Sequence, residues 1–500
     1  MNFTDARQVP SGTKLMPELV IIGGGPAGIS LALALARTKI KVLLLESGGM
    51  QFDAATQALY AGQETGVKYY ALDATRMRYL GGCTNHWGGW CRPLDEDDFA
   101  QRDWLPHSGW PFDRSELDPY FPRAQELIEA GPLLYDKLAK ETLPGGDLLK
   151  LGPGGIYNSF FQFSVWRGNP DHLPTHFGER YADDLKRVPN LQVMLNANVT
   201  ALRLGQDPRW VDHLDVATLD GKRFTVAPRH VVLAAGAIET ARLLLASNDV
   251  ATNGVGNEND LVGRYYADHA IPRDTATLVV FGGEIAAFYK TTLDMKGAHF
   301  RATLSPTQQF KKDRHVLGSL VTVEQRVALD ELGAAAVTTT SAALGVDGSN
   351  AHAYSLGCGI ELAPDPDRRL TLTSERDALG MPRLKLNVTI SDQDFANYRE
   401  ALVELGRQML AAKTGMIRLD RQSRSEWLSV MDWGNHHMGT TRMNDDPKQG
   451  VVDGNCQVHG LANLFVAGSA CFPTYGSSNP TLNLIALTLR LADHLKGVFR

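Results

Sequence analysis

The stretch ELVIIGGGPAG at residues 18–28 decides the fold of this 500-residue chain. Its first five residues are an apolar run, which predicts a buried parallel strand. Gly23, Gly25 and Gly28 follow in a Gly-x-Gly-x-x-Gly pattern, and residues 27–38 are rich in the Ala and Leu that favour a helix. The order strand, glycine turn, helix is typical of a unit that binds a dinucleotide through its phosphates.

A second apolar strand, KVLLL at residues 41–45, completes a strand–helix–strand unit of the Rossmann type and ends at Glu46. Glu46 follows the last glycine by about 20 residues, the spacing at which an acidic side chain accepts hydrogen bonds from a ribose 2′-hydroxyl. Its charge would repel a 2′-phosphate. The unit therefore predicts a bound dinucleotide, and by itself it leaves both NAD and FAD open.

Composition excludes several classes of protein. The chain is 43% hydrophobic and 21% charged, which excludes a disordered protein. A net charge of −6 without a basic stripe argues against a nucleic-acid partner. The 5 cysteines contain no Cys-x-x-Cys pair, so we expect neither a disulfide framework nor a metal centre, and a reducing, cytoplasmic location.

The uncharged run from Leu19 to Ala36 is long enough to suggest a membrane span. The glycine turn inside it would leave backbone groups without hydrogen bonds in lipid, so we expect no span. Residues 1–18 lack the apolar region of a secretory signal, and none is expected.

Signals of a parallel sheet recur at residues 229–246 and 463–467, and Pro480 begins a predicted C-terminal helix. Between them, residues 384–390 alternate apolar and polar side chains, as a half-exposed antiparallel strand does. A helix capped by Ser391 and Asp394 follows. Similar strands are predicted at residues 276–290, 316–324 and 368–373.

These patterns predict an α/β fold in which an antiparallel-sheet domain is inserted into a discontinuous Rossmann-like domain. The expected dinucleotide-binding domain comprises residues 17–110, 185–270 and 430–500, and the substrate-binding domain and lid comprise residues 111–184 and 271–429. Within the second domain, the Ala-, Thr- and Ser-rich residues 331–351 are interpreted as a loop or lid. Tyr157, Phe161 and Trp166, in a predicted loop, are candidates either for a lid or for packing.

Residues 78–90, RYLGGCTNHWGGW, combine paired glycines with Thr84, Asn85, His86 and two tryptophans. Paired glycines let the backbone approach a flat or charged ligand, while Thr and Asn offer hydrogen bonds. A glycine loop held by core tryptophans explains the same residues, so both interpretations stay open.

The C-terminal segments GNHHMGTTRM at residues 434–443 and GSSNPTLN at residues 476–483 are candidates for catalysis. Either His436 or His437 is suited to act as a base, because histidine has an unperturbed pKa of about 6.5. Ordinary loop histidines are the alternative. The chain has no Gly-x-Ser-x-Gly or His-Glu-x-x-His motif, which argues against a serine hydrolase and against a metal centre.

Together these segments resemble the glucose–methanol–choline (GMC) family of FAD oxidoreductases over nearly the whole chain. Residues 234–244, AAGAIETARLL, and residues 262–269, VGRYYADH, are similar to two further elements of that family. The resemblance implies FAD rather than NAD, bound by the discontinuous Rossmann-like domain. Within the family the chain resembles pyranose oxidases and bacterial glycoside 3-oxidases. In pyranose oxidases a histidine bonds covalently to the flavin, and His86 stands at the matching position. The resemblance therefore implies a covalent bond from His86 to the flavin.

The resemblance implies oxidation of a secondary hydroxyl of a pyranose sugar or glycoside, at C2 or C3, to a ketone. His436 matches the family's base and Asn479 its second polar residue, hydride passes to flavin N5, and O2 or a quinone is the electron acceptor. The implied cofactor-binding residues are Gly23, Gly25, Gly28, Glu46, Gly82, Thr84, Asn85, His86, Val199, Gly236, Gly468, Ser469, Asn479 and Thr481.

Two alternatives remain at this point. The chain can be the catalytic subunit of a sugar or sugar-acid dehydrogenase complex that passes electrons to a haem partner. It can also be a flavin-binding scaffold without turnover, although the presence of both His436 and Asn479 argues against that.

Overall fold

The computed structural model describes residues 2–168 and 174–500. Its strands are β1 Phe3–Asp5, β2 Lys14–Leu15, β3 Leu19–Ile22, β4 Val42–Leu45, β5 Gln63–Gly66, β6 Trp90–Cys91, β7 Ile156–Phe163, β8 Leu191–Leu195, β9 Asn198–Leu204, β10 Val211–Ala217, β11 Arg223–Val226, β12 His230–Leu233, β13 Ala270–Pro272, β14 Ala276–Val280, β15 Leu293–Met295, β16 Ala298–Pro306, β17 Ser319–Val327, β18 His352–Ile360, β19 Arg369–Arg376, β20 Pro382–Val388, β21 Gly415–Leu419, β22 Met431–Trp433 and β23 Leu464–Val466.

The α-helices of the described residues are α1 Pro26–Ala34, α2 Ala54–Gln57, α3 Glu96–Phe99, α4 Phe121–Leu127, α5 Phe177–Arg187, α6 Gly236–Ala246, α7 Ala287–Lys290, α8 Gln308–Arg314, α9 Glu331–Leu344, α10 Asp392–Ala412, α11 Arg424–Ser429 and α12 Pro480–Val498.

Six of the described strands form a parallel sheet in the order β1-β8-β4-β3-β12-β23. These strands come from both ends of the chain and from its middle, which confirms the predicted discontinuous Rossmann-like unit. Helix α1 packs against α5 and α12, and all four residues of β3 are buried. The predicted helix is shorter than expected because Thr38 and Asn190 donate hydrogen bonds to the Leu35 carbonyl and end α1 there.

Ten of the described strands form a second, antiparallel sheet, whose main order is β21-β14-β18-β17-β16-β7-β6. This confirms the predicted antiparallel sheet, whereas the domain boundaries stay a prediction. The expected strand over residues 276–290 is correct only to Val280, since Gly282 and Gly283 with φ of 81° and 139° break it and α7 follows.

The predicted strand at residues 384–390 is β20, which lies in a three-stranded sheet with β19 and β5. Its apolar residues Leu384, Leu386 and Val388 are buried, as the alternation predicts. The capping box at the start of α10 is also confirmed, because the Asp394 amide donates to the Ser391 hydroxyl at 3.0 Å and the Ser391 amide to the Asp394 carboxylate at 2.8 Å.

Two predicted loops are wrong. Most of residues 331–351 form helix α9, because Ala favours a helix, the Asp330 carboxylate caps its start, and Gly345 ends it at a φ of 67°. Tyr157 and Phe161 lie in strand β7 rather than in a loop, and the buried Phe161 ring packs against Trp90 at a centroid distance of 5.5 Å. The packing interpretation therefore holds for Phe161.

Among the helices of the part of the chain that the structure describes, none combines the length and apolar character needed to cross a bilayer.

Candidate active site

The glycine turn between β3 and α1 lies at the carboxyl ends of the parallel strands, where it also contacts the end of β12. Gly23 has a φ of 110°, and a Cβ atom there would lie 2.6 Å from the Ala234 carbonyl oxygen at the end of β12. A Cβ atom at Gly28 would lie 1.9 Å from the Gly23 carbonyl oxygen. Only glycine at these positions lets α1 begin at the sheet edge, with its positive N-terminal end directed at the cavity.

Glu46 at the end of β4 is buried and stabilises this turn. One carboxylate oxygen accepts a hydrogen bond from the Gly24 amide at 2.7 Å, and the other accepts one from the Gly48 amide at 2.8 Å. Glu46 also lines the cavity, where a ribose hydroxyl can donate to the same carboxylate.

A cavity of about 290 Å³ lies against the turn, at the carboxyl ends of the central parallel strands. Gly28 and Asn85 do not line it: Gly28 packs within the turn, and the Asn85 amide donates to the Leu80 carbonyl at 3.0 Å. The other residues expected at the site all line this cavity, namely Gly23, Gly25, Glu46, Gly82, Thr84, His86, Val199, Gly236, Gly468, Ser469, Asn479, Thr481 and His436.

His436 and Asn479 meet at one wall of the cavity. The Asn479 amide nitrogen lies 3.0 Å from Nε2 of His436. Asn479 is the residue immediately before α12. The turn that holds His436 is fixed by a hydrogen bond of 2.7 Å from the backbone amide of His436 to the Asp268 carboxylate. Burial, together with the neighbouring His269 and His437, holds the pKa of His436 well below its usual value, so the ring is neutral at pH 7.

His437 faces a different part of the cavity wall. Its carbonyl accepts a hydrogen bond from the Ser469 hydroxyl at 2.8 Å, and its ring lies 6.0 Å from that of Tyr266. Among the described residues, Nε2 of His437 has no hydrogen-bond partner. Of the two neighbouring histidines, His436 is therefore the one that pairs with Asn479.

A buried carboxyl group, which the sequence reasoning missed, supports the His436 turn. Asp268 accepts hydrogen bonds from the His436 amide and from the Tyr69 hydroxyl, which itself contacts the Tyr266 hydroxyl at 2.7 Å. Burial raises the pKa of Asp268 to about 7, although these hydrogen bonds oppose the rise. The Asp-His pair at residues 268–269 was the available signal, but its partners are distant in sequence.

A second group that was missed lines the cavity near Val199. Arg76 and Arg78 contact the Glu239 carboxylate at 3.0 and 3.2 Å, and both guanidinium groups lie over the Tyr60 ring. Burial would raise the pKa of Glu239, but its arginine neighbours lower it to about 2. The signal available in the sequence was the pair Arg76 and Arg78, separated by one residue and placed just before Gly81-Gly82.

The cavity fits a dinucleotide. Helices α1, α6 and α12 all present N-terminal residues to it, which provides unpaired amides and positive dipole ends for a diphosphate. Gly236 and Gly468 line it with φ of 74° and 112°, so the backbone lies close to the space. Asn435 Oδ1 and His437 Nε2 are buried in this wall without a partner among the described residues, as expected of atoms that meet a ligand.

Comparison with known proteins agrees with this geometry. A family described as FAD dependent oxidoreductase matches residues 18–302, more than half of the chain, and one described as GMC oxidoreductase matches residues 364–488. The chain is 24% identical to the fructose dehydrogenase large subunit of Gluconobacter japonicus, an alignment that covers 97% of this chain and 98% of that protein.

A second relative is the C-glycoside 3-oxidase of Microbacterium trichothecenolyticum, which is 27% identical over 83% of this chain and 75% of its own length. The solved formate oxidase of Aspergillus oryzae RIB40 shares the fold, with a TM-score of 0.60 at 17% identity over 98% of this chain and 99% of that one. Since the family match, the glycine turn and the cavity agree, the chain belongs to the GMC family and is an FAD-dependent oxidoreductase.

Proposed function

We propose that this enzyme oxidises a secondary hydroxyl of a pyranose sugar or glycoside, at C2 or C3, to a ketone. The observation that carries the proposal is the contact of 3.0 Å between His436 and Asn479 at the wall of the cavity that fits the dinucleotide. Two relatives whose names refer to sugars, the fructose dehydrogenase subunit and the C-glycoside 3-oxidase, support the substrate class.

In this proposal the alcohol loses one proton and one hydride. FAD, when bound, supplies the hydride acceptor at N5 and passes the electrons on to O2 or a quinone. His436 takes the hydroxyl proton at Nε2, for which a neutral ring is required. The Asn479 amide lies within 3.0 Å of that nitrogen. When substrate binds, the amide donates its hydrogen bond to the substrate oxygen instead, which leaves the Nε2 lone pair free for the hydroxyl proton.

The cofactor roles follow from the cavity wall. The amides at the start of α1 hold the diphosphate, and Glu46 holds the ribose. Of the predicted contacts, Gly28 acts by closing the turn and Asn85 by holding the Gly81 loop, rather than by touching the cofactor. The cytoplasmic location stays part of the proposal.

A second candidate function concerns the electron acceptor. The likeness to a dehydrogenase large subunit extends over 97% of this chain. It favours a catalytic subunit that passes electrons to a partner subunit, with the same chemistry at His436. That the partner carries a haem is part of this proposal.

The test is an anaerobic screen in which free sugars, O-glycosides and C-glycosides are added to the oxidised, yellow holoenzyme. We expect pyranoses or glycosides to bleach the flavin, and NMR of the product to show a ketone at C2 or C3. Bleaching by simple aliphatic alcohols but by no sugar would contradict the substrate class. Recolouring in air indicates an oxidase, whereas recolouring only by a quinone or a haem protein indicates a dehydrogenase.

A further inference from the structure

A row of hydrogen-bonded groups leads from the cavity wall into the protein. The Asn479 amide nitrogen lies 3.0 Å from Nε2 of His436, and Nδ1 of His436 lies 2.8 Å from Nδ1 of His269. Nε2 of His269 lies 2.9 Å from the carbonyl oxygen of Gly476, where the row ends. His269 is buried, with 2% of its surface exposed, and does not line the cavity.

The inner end of the row determines where the protons lie. A carbonyl oxygen only accepts, so Nε2 of His269 must carry a hydrogen and donate it to Gly476. Burial lowers the pKa of His269 to about 4, so its ring is neutral and Nδ1 keeps a lone pair. The hydrogen between the two Nδ1 atoms therefore belongs to His436.

The outer end of the row gives the same result independently. The amide nitrogen of Asn479 has hydrogens to donate and no lone pair to accept with, so Nε2 of His436 must be the acceptor. A neutral imidazole carries only one hydrogen, so the one on His436 is on Nδ1. Both ends of the row thus require the same tautomer.

We propose that His269 is a positioning residue that holds His436 in the Nδ1–H tautomer, so that the unprotonated Nε2 faces the cavity. The importance of this tautomer rests on the proposed function of His436 as the base. In the opposite tautomer, Nε2 would carry a hydrogen and could not take the proton of a substrate hydroxyl.

The row also determines where that proton can go. Once Nε2 of His436 is protonated, the hydrogen on Nδ1 still has the lone pair of His269 as its acceptor. The Gly476 carbonyl cannot take a proton, so no transfer continues inward, and the proton leaves through the cavity. The titratable groups around the two rings are Tyr475, with its ring 5.1 Å from His269, and Glu361, Asp268 and His437.

The experiment compares two variants of the holoenzyme. His269→Phe keeps the ring volume but removes the acceptor, whereas the side-chain oxygen of His269→Asn can take the place of Nδ1 and accept from His436. We expect the kcat of His269→Phe to fall by roughly 10²-fold, because loss of the residue that orients a catalytic histidine removes the reactive tautomer. We expect His269→Asn to retain most of the turnover.

A tautomer defect has two further signatures. It lowers kcat equally at all pH values above the pKa of His436, since the balance between two neutral tautomers does not depend on pH. In 15N-histidine-labelled protein, the imidazole shifts of His436, assigned with His436→Gln, should report hydrogen on Nδ1 in the wild type and a loss of that tautomer in His269→Phe. His230→Phe, which replaces another buried histidine, is the matched control and should leave kcat and these shifts unchanged.

Three results would overturn the proposal: hydrogen on Nε2 of His436 in the wild type, an unchanged tautomer in His269→Phe, or a His269→Asn variant as slow as His269→Phe. If His269→Phe does not fold, the wild-type spectrum still tests the tautomer and the turnover of His269→Asn still tests the role of His269. Failure of the proposed function is separate, because near-normal turnover by His436→Ala would refute the base while leaving the tautomer measurement intact.

Discussion

At the scale of single residues, the proposed chemistry depends on one imidazole nitrogen. His436 lines the cavity, and its Nε2 lies 3.0 Å from the amide nitrogen of Asn479. Removing the ring takes away the imidazole that contacts Asn479 and leaves the glycine turn, the proposed diphosphate site, unchanged.

We therefore expect His436→Ala to lose turnover by roughly 10²- to 10⁴-fold, the usual contribution of a general base, and to retain its flavin. Steady-state kinetics and the flavin-to-protein ratio of the purified variant measure both effects. His230→Ala, which removes a buried ring outside the cavity, is the control. Turnover close to that of the wild type in His436→Ala would refute the assignment.

The pH dependence follows from the direction of the pKa shift. The base must be unprotonated, and burial lowers the pKa of His436 well below its usual value. Activity is thus expected to be complete at pH 7 and to be lost only as the pH falls well below about 6.5, the ordinary histidine value. The measurement is kcat/KM against pH, in the wild type and in Asp268→Asn.

The second variant is needed because the pKa of Asp268 is raised to about 7 in the same site. If kcat/KM falls as the pH drops through about 7 in the wild type but not in Asp268→Asn, that loss is due to protonation of the Asp268 carboxyl group. A limb at or above pH 6.5 that persists in Asp268→Asn would contradict a depressed pKa at His436.

The predicted covalent bond between His86 and FAD can be tested by acid precipitation. The ring of His86 lines the cavity, and burial lowers the pKa of His86, which favours the neutral ring, in which one nitrogen has a lone pair free to act as a nucleophile. We expect acid-precipitated wild-type protein to keep the yellow colour in the pellet, and His86→Ala to release it into the supernatant. His437→Ala, a change at a second cavity histidine, should keep a yellow pellet. A colourless wild-type pellet would show that the flavin is not covalently bound.

At the scale of elements, the glycine turn is the most demanding part of the fold. Helix α1 approaches β3 so closely that a methyl group at Gly28 has no room. In contrast, a methyl group at Gly497 near the end of α12 meets no atom within 4 Å.

We expect Gly28→Ala to be purified without flavin, because a Cβ atom would lie 1.9 Å from the Gly23 carbonyl and push α1 away from the diphosphate position. Gly497→Ala is the matched control and should bind FAD normally. Visible absorbance of the purified proteins measures the difference. Full flavin content in Gly28→Ala would mean that the turn can relax without losing the cofactor.

Elements with a strong local pattern were predictable. The alternation of β20 and the capping box of α10 depend on residues close in sequence, and both are confirmed. The error at α9 has a local cause as well: its Thr and Ser residues suggested a loop, but Thr338 and Thr339 donate to the carbonyls four residues earlier and remain in the helix.

At the scale of the whole molecule, the parallel sheet joins strands from residue 3 to residue 466. The cavity lies where these distant segments meet, so a dinucleotide bound there would contact parts of the chain that are far apart in sequence. A ligand that binds only the folded state stabilises it by mass action.

We expect the Tm of deflavinated protein to rise with added FAD, corresponding to about 2.7 kcal/mol when free FAD is at about 100 times its Kd. ADP alone should also raise Tm, because the glycine turn and the start of α1 are proposed to hold the diphosphate half. Thermal denaturation followed by circular dichroism measures the shift, with riboflavin as the ligand that lacks the diphosphate. A Tm that responds to riboflavin but not to ADP would contradict this placement.

Periodicity and spacing within single elements were enough to predict the dinucleotide unit and the discontinuous α/β architecture, whereas the family and the pair of His436 and Asn479 were implied by the resemblance to GMC oxidoreductases. The tertiary structure added the contact between His436 and Asn479, and it brought His269, 167 residues from His436, and the Arg76–Glu239 pair, 163 residues apart, to the same region. Such contacts are made between elements whose relative positions are set by the order of strands in the sheet, and no local pattern encodes that order.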